Sequence, residues 1–159
     1  MNYWRKKQRR SGFSLLELVI VIVIMGIVAA VAIPRMSRGS AGAADAALSG
    51  NLAVLRNAID MYAGEHNGTN PTAANIADQL TLYTSNTGAT QATKDSTYIY
   101  GPYLRKVPSL PVGAEKGSTN IAAAAASGVG WVYTAATGAI QANTTASEKD
   151  SANKKYSDY

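Results

Sequence analysis

Apolar residues follow two patterns along this chain. From Phe13 to Ile33 they run almost without a break, and no charged residue occurs from Leu18 to Ile33. As a helix this stretch would measure roughly 31 Å at 1.5 Å per residue, close to the hydrocarbon core of a bilayer at about 30 Å. Further on, Leu48, Leu52, Leu55, Ile59 and Tyr62 recur at spacings of three and four, which places them on one helix face. Asn51, Arg56, Asn57 and Asp60 lie elsewhere around that helix. The patterns predict one long helix, its first half suited to a membrane and its second half carrying the core of a small head. Between the halves, Pro34 cannot donate to the carbonyl of Ala30 and its ring crowds that turn, so a kink is expected there. Gly39 and Gly42 weaken the helix further, by about 1 kcal/mol each relative to Ala.

The long helix should stop between Gly64 and Gly68, because Asn67-Gly68 is a strong terminator. Thr72 is placed to cap a short helix over Ala73–Leu82, with Ile76, Leu80 and Tyr83 facing inward. Residues 84–97, rich in Ser, Thr, Asn, Gly and Gln, read as a loop. The alanine run Ala122–Ala126 reads as a short helix or an ordered loop. Gly130–Thr134 and Gly138–Ala142 read as a β-hairpin turning through Ala135-Ala136-Thr137. Residues 144–159 are polar, lack an apolar period and predict a disordered tail. The fold class is α+β: a long N-terminal helix and a small head with a short helix and an antiparallel hairpin or small sheet.

Charge sharpens the N-terminal picture. Arg5, Lys6, Lys7, Arg9 and Arg10 precede the apolar run, with no acid among residues 1–12. Positive flanks stay on the cytoplasmic side, so a single inner-membrane span with its head in the periplasm is expected. Formal net charge is +5, but five of the fifteen basic residues lie in those first twelve, leaving ten against ten acids. Without that segment the chain is neutral, and bulk charge gives no argument for nucleic-acid binding.

Glu17 is the anomaly inside the span. A carboxylate near hydrocarbon costs about 2.5–3.5 kcal/mol on insertion scales, so one that persists usually has a partner. Cleavage after Gly12 would create an α-amino group on Phe13 at the same helix end. One helix cannot easily bring its own N-terminus onto Glu17, whereas a neighbouring helix shifted along the axis can. The pattern suggests subunits that pack helix against helix.

A basic leader, Gly12, Phe13, Glu17 and Pro34 in this register resemble the type III signal of prepilins. The resemblance implies cleavage between Gly12 and Phe13 by a prepilin peptidase, N-methylation of Phe13, an assembly role for Glu17, and stacking into helical filaments. A secretory signal peptide cut near Ala41-Gly42-Ala43 is a competing reading, as is a twin-arginine signal at Arg9-Arg10. Glu17 counts against the first and the residues after Arg10 fit the second imperfectly. A plain anchor explains the apolar run but not Gly12, Phe13 and Glu17 together.

Two head segments are similar to the major pseudopilin of type II secretion systems. One is the helix from Leu55 to Tyr62 running into Asn67-Gly68-Thr69-Asn70-Pro71-Thr72. The other is Tyr103-Leu104-Arg105-Lys106-Val107-Pro108. The family continues with Asp-Pro-Trp-Gly, where this chain has Leu110-Pro111-Val112-Gly113. That region helps hold a structural calcium in the family. Calcium wants six to eight oxygens with several carboxylates, and between Gly68 and Asn143 the only acids are Asp78, Asp95 and Glu115. No cofactor is expected; a calcium site made of backbone carbonyls plus one or two acids stays open.

No catalytic constellation is visible. With no cysteine and His66 as the single histidine, zinc centres and Cys/His nucleophiles are excluded. The divisions expected are a cleaved leader at 1–12, the membrane and assembly half of the helix at 13–34, the amphipathic half plus head at 35–143, and the tail at 144–159. The resemblance implies a structural subunit, not an enzyme. Its expected partners are copies of itself, minor pilin-like subunits, the prepilin peptidase, an inner-membrane assembly platform and, before assembly, membrane lipid. A type IV pilus pilin and a non-polymerising, membrane-anchored periplasmic binding module remain as alternatives.

Overall fold

The computed structural model describes residues 13–159, with the side chains of residues 34–38 outside that description. The chain forms two compact units, one ending at Gly39 and one spanning Ser40–Tyr159. Helix α1, Leu15–Glu65, contributes to both.

In the first unit, Leu15–Ile33 has a mean hydropathy of 3.0 and none of it is buried within the protein. A helix apolar on all sides has no polar face for water. By length and composition it can cross a membrane.

In the second unit, the predicted stripe forms the core. Leu48, Leu52, Leu55, Ile59 and Tyr62 are all buried, joined by Ala58 on the same face. The helix ends where expected. Asn67 and Gly68 adopt left-handed backbone, with φ of 55° and 77°, and the Gly68 N–H returns to the Ala63 carbonyl at 2.8 Å. This closes carbonyls that the last helical turn leaves open.

The short helix α2 is Ile76–Thr81, shorter than the predicted Ala73–Leu82. Ile76 and Leu80 are buried as expected, and Tyr83 is half-buried. Thr72 does not cap it: the residue at the N-cap position is Asn75, which makes no side-chain cap bond. Thr72 instead donates its main-chain N–H and its hydroxyl to Gln79 Oε1, at 2.8 and 3.3 Å.

Two small sheets complete the head. Strands β1 (Tyr83–Thr84) and β2 (Thr90–Gln91) pair antiparallel, so part of the predicted loop 84–97 is a short hairpin. The second sheet has the order β3-β4-β5, with β3 at Ile121–Ala122, β4 at Trp131–Thr134 and β5 at Ala139–Ala142. The predicted hairpin is β4–β5, with Trp131 opposite Ala142 and Thr134 opposite Ala139. β3 joins β4 in parallel. The alanine run is not helical; it begins in β3 and continues as irregular chain.

Trp131, Tyr133 and Ile140 point inward onto the α1 stripe. The two large aromatics find acceptors for their polar ends, as buried Trp and Tyr usually must: Trp131 Nε1 donates to the Pro108 carbonyl at 2.8 Å and the Tyr133 hydroxyl to the Pro71 carbonyl at 3.0 Å. Gly130 lets β4 start there, since a Cβ would sit 2.5 Å from the Ser118 carbonyl oxygen.

The segment 144–159, expected as a disordered tail, is folded. It ends in a 3₁₀ turn at Tyr156–Asp158, and Lys149 and Lys155 form an antiparallel bridge. Polar bonds hold it in place. Asp45 of α1, itself buried, accepts from the Ser151 N–H at 3.1 Å, the Ser151 hydroxyl at 2.9 Å and the Tyr156 hydroxyl at 2.9 Å. Arg56 Nη2 donates to the Tyr159 carbonyl at 2.9 Å.

Candidate functional site at the start of the membrane helix

The candidate residues are Gly12, Phe13, Glu17 and Pro34. Gly12 lies outside the described residues, and so does the side chain of Pro34. Phe13 and Glu17 are described. The Phe13 side chain is 90% exposed.

Glu17 is one half of a reciprocal cap. The Ser14 hydroxyl accepts the Leu16 N–H at 3.2 Å, while Glu17 Oε2 accepts the Ser14 N–H at 2.8 Å. The Leu18 N–H then makes the first regular helical bond, to the Ser14 carbonyl at 3.2 Å. Ser-x-x-Glu with these two bonds is a capping box, which satisfies two of the donors that a helix start leaves open. Such a cap contributes about 1 kcal/mol in water. In hydrocarbon no water would replace it, and each open donor costs several kcal/mol. The carboxylate also lies at the positive end of the helix dipole.

This changes the accounting for Glu17. The sequence pointed to the Phe13 amine of a neighbouring helix as the partner of Glu17, because one helix cannot easily bring its own N-terminus onto that residue. Its own helix supplies the Ser14 N–H. Among the described residues, Oε1 of Glu17 takes no hydrogen bond. Ser14 was overlooked, although Ser14-Leu15-Leu16-Glu17 carries the capping-box spacing.

The head brings together no comparable site. Among the described residues, no group of three or more His, Cys, Asp or Glu side chains is placed to hold a metal ion. Three of the acids there, Asp95, Glu115 and Glu148, accept main-chain N–H groups. Asp95 accepts from the Thr97 and Tyr98 N–H groups at 2.7 and 2.8 Å, which together with Gln91 hold its carboxyl below the usual range. Glu115 accepts from the Gly128 N–H at 2.7 Å. Glu148 accepts from the Thr145 and Ala114 N–H groups, which likewise lower its carboxyl. An open depression of about 300 Å³ lies between Glu115 and Glu148, but both carboxylates there already serve main-chain donors.

Sequence reasoning also passed over Asp45. It lies three residues before Leu48, beside the apolar stripe, and a carboxylate at that position signals a buried polar contact.

A family model described as the prokaryotic N-terminal methylation motif matches residues 7–33. The match spans Gly12, Phe13, Ser14, Glu17 and the whole apolar run. No curated protein and no solved structure matches the chain. The chain therefore carries a prokaryotic N-terminal methylation motif of the prepilin type, joined to a candidate membrane helix. Such a motif implies processing by a prepilin peptidase and assembly with other pilin-like subunits.

Proposed function

We propose that this chain is a structural subunit of a periplasmic pseudopilus in type II protein secretion. The observation that carries the reading is the methylation motif at residues 7–33 running into an apolar helix whose side chains find no burial within the chain itself. An unburied apolar helix needs lipid or neighbours. In this reading, the peptidase removes residues 1–12, Phe13 is N-methylated, and subunits wait in the inner membrane with the head in the periplasm. An assembly platform then moves them into a filament of stacked helices, with minor pilin-like subunits at hand. In this reading its role is structural and not catalytic. The family-like segments Leu55–Tyr62 and Tyr103–Pro108 favour a pseudopilin over a type IV pilus pilin.

A second reading, a membrane-anchored module that never polymerises, gains one observation. The capping box gives Glu17 a structural role inside its own helix.

The test is deletion of the gene in its host with complementation by the wild-type chain. Loss of exoprotein secretion with surface pili intact supports the pseudopilus. Loss of pili with secretion intact supports the type IV pilin. Neither loss, with processed protein in the membrane, supports the anchored module.

A further inference from the structure

His66 directly follows the last residue of α1 and is 4% exposed. Its ring lies flat against Tyr62, with centroids 3.8 Å apart and planes within 4°. Tyr100 stands tilted on it at 5.1 Å. Both ring nitrogens face main-chain carbonyl oxygens. Nδ1 is 2.8 Å from the Tyr62 oxygen and Nε2 is 3.0 Å from the Ser85 oxygen.

A carbonyl oxygen only accepts. A neutral imidazole has one N–H and one lone pair, so it serves one of these oxygens and turns a lone pair on the other. The imidazolium donates to both. The negative end of the α1 dipole favours a cation here, and so does the electron-rich face of the Tyr62 ring. Burial opposes the charge, and two charge-assisted hydrogen bonds offset that cost.

The other titratable groups around the ring are Tyr62 and Glu65 of α1 and, from the segment after β2, Tyr100 and Tyr103. The Tyr103 hydroxyl donates to Glu65 at 2.6 Å. Burial pushes the Tyr62 phenol up, and burial followed by the Glu65 bond pushes Tyr103 up. These phenols stay neutral where an imidazole titrates.

Ser85 directly follows β1. Its carbonyl also accepts the Gly88 N–H, and its N–H donates to the Ala89 carbonyl, each at 2.9 Å. A hold on this carbonyl is a hold on the β1–β2 hairpin.

We propose that His66 is a proton-operated clasp: as imidazolium it fastens the β1–β2 hairpin to the end of α1 through both ring N–H groups, and loss of one proton releases one fastening. The folded chain offers acceptors to both ring N–H groups, so the fastening is complete only while the ring holds both protons.

The test uses the whole chain in detergent micelles with ¹⁵N-labelled histidine. The chain has a single histidine, so the ring signals identify themselves. From about pH 5 to about pH 8, ring protonation and amide-exchange protection of residues 83–91 are followed together. The expected result is two slowly exchanging ring N–H protons at the acid end and a several-fold fall in hairpin protection as one is lost. His66→Asn should hold protection at the lower level, independent of pH. A ring that is a neutral tautomer throughout, or protection that ignores the ring's titration in the wild-type chain, overturns the proposal whether or not the variant folds.

Discussion

Tyr156 donates its hydroxyl to Asp45 at 2.9 Å across 111 positions of sequence. That bond and the two from Ser151 bind the C-terminal segment to α1. Asp45→Ala should therefore cost about 2 kcal/mol, since it leaves buried donors without an acceptor. Tyr156→Phe should cost about 1 kcal/mol, the net value of one hydrogen bond. Urea denaturation measures both, and limited proteolysis should show earlier cutting within 144–159. Wild-type resistance in Asp45→Ala would mean that the segment is held by something else.

Alkaline pH should unfasten the same region. Burial, followed by the Asp45 bond, pushes the Tyr156 phenol up to about 12. The bond to Asp150, followed by burial, does the same for Tyr159, and burial raises Tyr133 to about 12. An unfolded tyrosine ionises near pH 10. The folded values are raised, so the stabilisation is full below the unfolded value and is lost as pH climbs from about 10 toward about 12. Phenolate absorbance and circular dichroism recorded together should show ionisation lagging until the fold opens. Free titration of all nine tyrosines near pH 10 in folded protein would contradict this.

Calcium should leave thermal stability unchanged. Asp95, Glu115 and Glu148 each accept main-chain N–H groups, and a cation would have to displace those donors. A ligand that binds only the folded state raises stability logarithmically with its concentration. A Tm that climbs with calcium and falls with a chelator would overturn this expectation.

Much of the head was legible because its signals are periodic or local. The stripe from Leu48 to Tyr62 is a helical period, Asn67-Gly68 is a backbone requirement at positive φ, and β4–β5 alternates around a glycine turn. The C-terminal segment was not legible. It has no apolar period, and what fixes it is a buried carboxylate more than a hundred positions away, which periodicity does not encode. At the candidate site, Gly12, Phe13 and Glu17 stood out as types in register. The part played by Ser14 was hidden because the search for a partner for Glu17 looked for a cation and not for a main-chain N–H.

Processing should leave Phe13 as the first residue of the membrane-resident protein. Gly12 offers no side chain at the bond to be cut, Phe13 is exposed, and the methylation motif covers both. Mass spectrometry of the N-terminal peptide should find Phe13 bearing one extra methyl group. An intact Met1, or a start near Ala44, would remove the prepilin reading.

Glu17 now has two candidate duties, and substitution separates them. Glutamine at the third position of a capping box can accept the Ser14 N–H as glutamate does, but it carries no charge for a neighbour's Phe13 amine. Alanine removes both. Neither change should impair membrane insertion, because losing a carboxylate makes the span more apolar. If Glu17 serves assembly through charge, Glu17→Gln and Glu17→Ala should both be processed, both reach the membrane, and both lose most filament growth. An unpaired ammonium in a low-dielectric setting is costly. If Glu17 serves only the cap, Glu17→Gln should assemble normally, and Ser14→Ala should share the milder defect of Glu17→Ala. Filament counts after co-expression of the assembly machinery, normalised to processed subunit, decide between these outcomes. We expect the charge to dominate. Glutamine keeps the cap, so any loss in Glu17→Gln isolates the charge, and breaking a buried ion pair by removing one partner costs about 3–5 kcal/mol. Normal filaments from processed Glu17→Ala would leave the carboxylate without an assembly role and would favour the anchored, non-polymerising module.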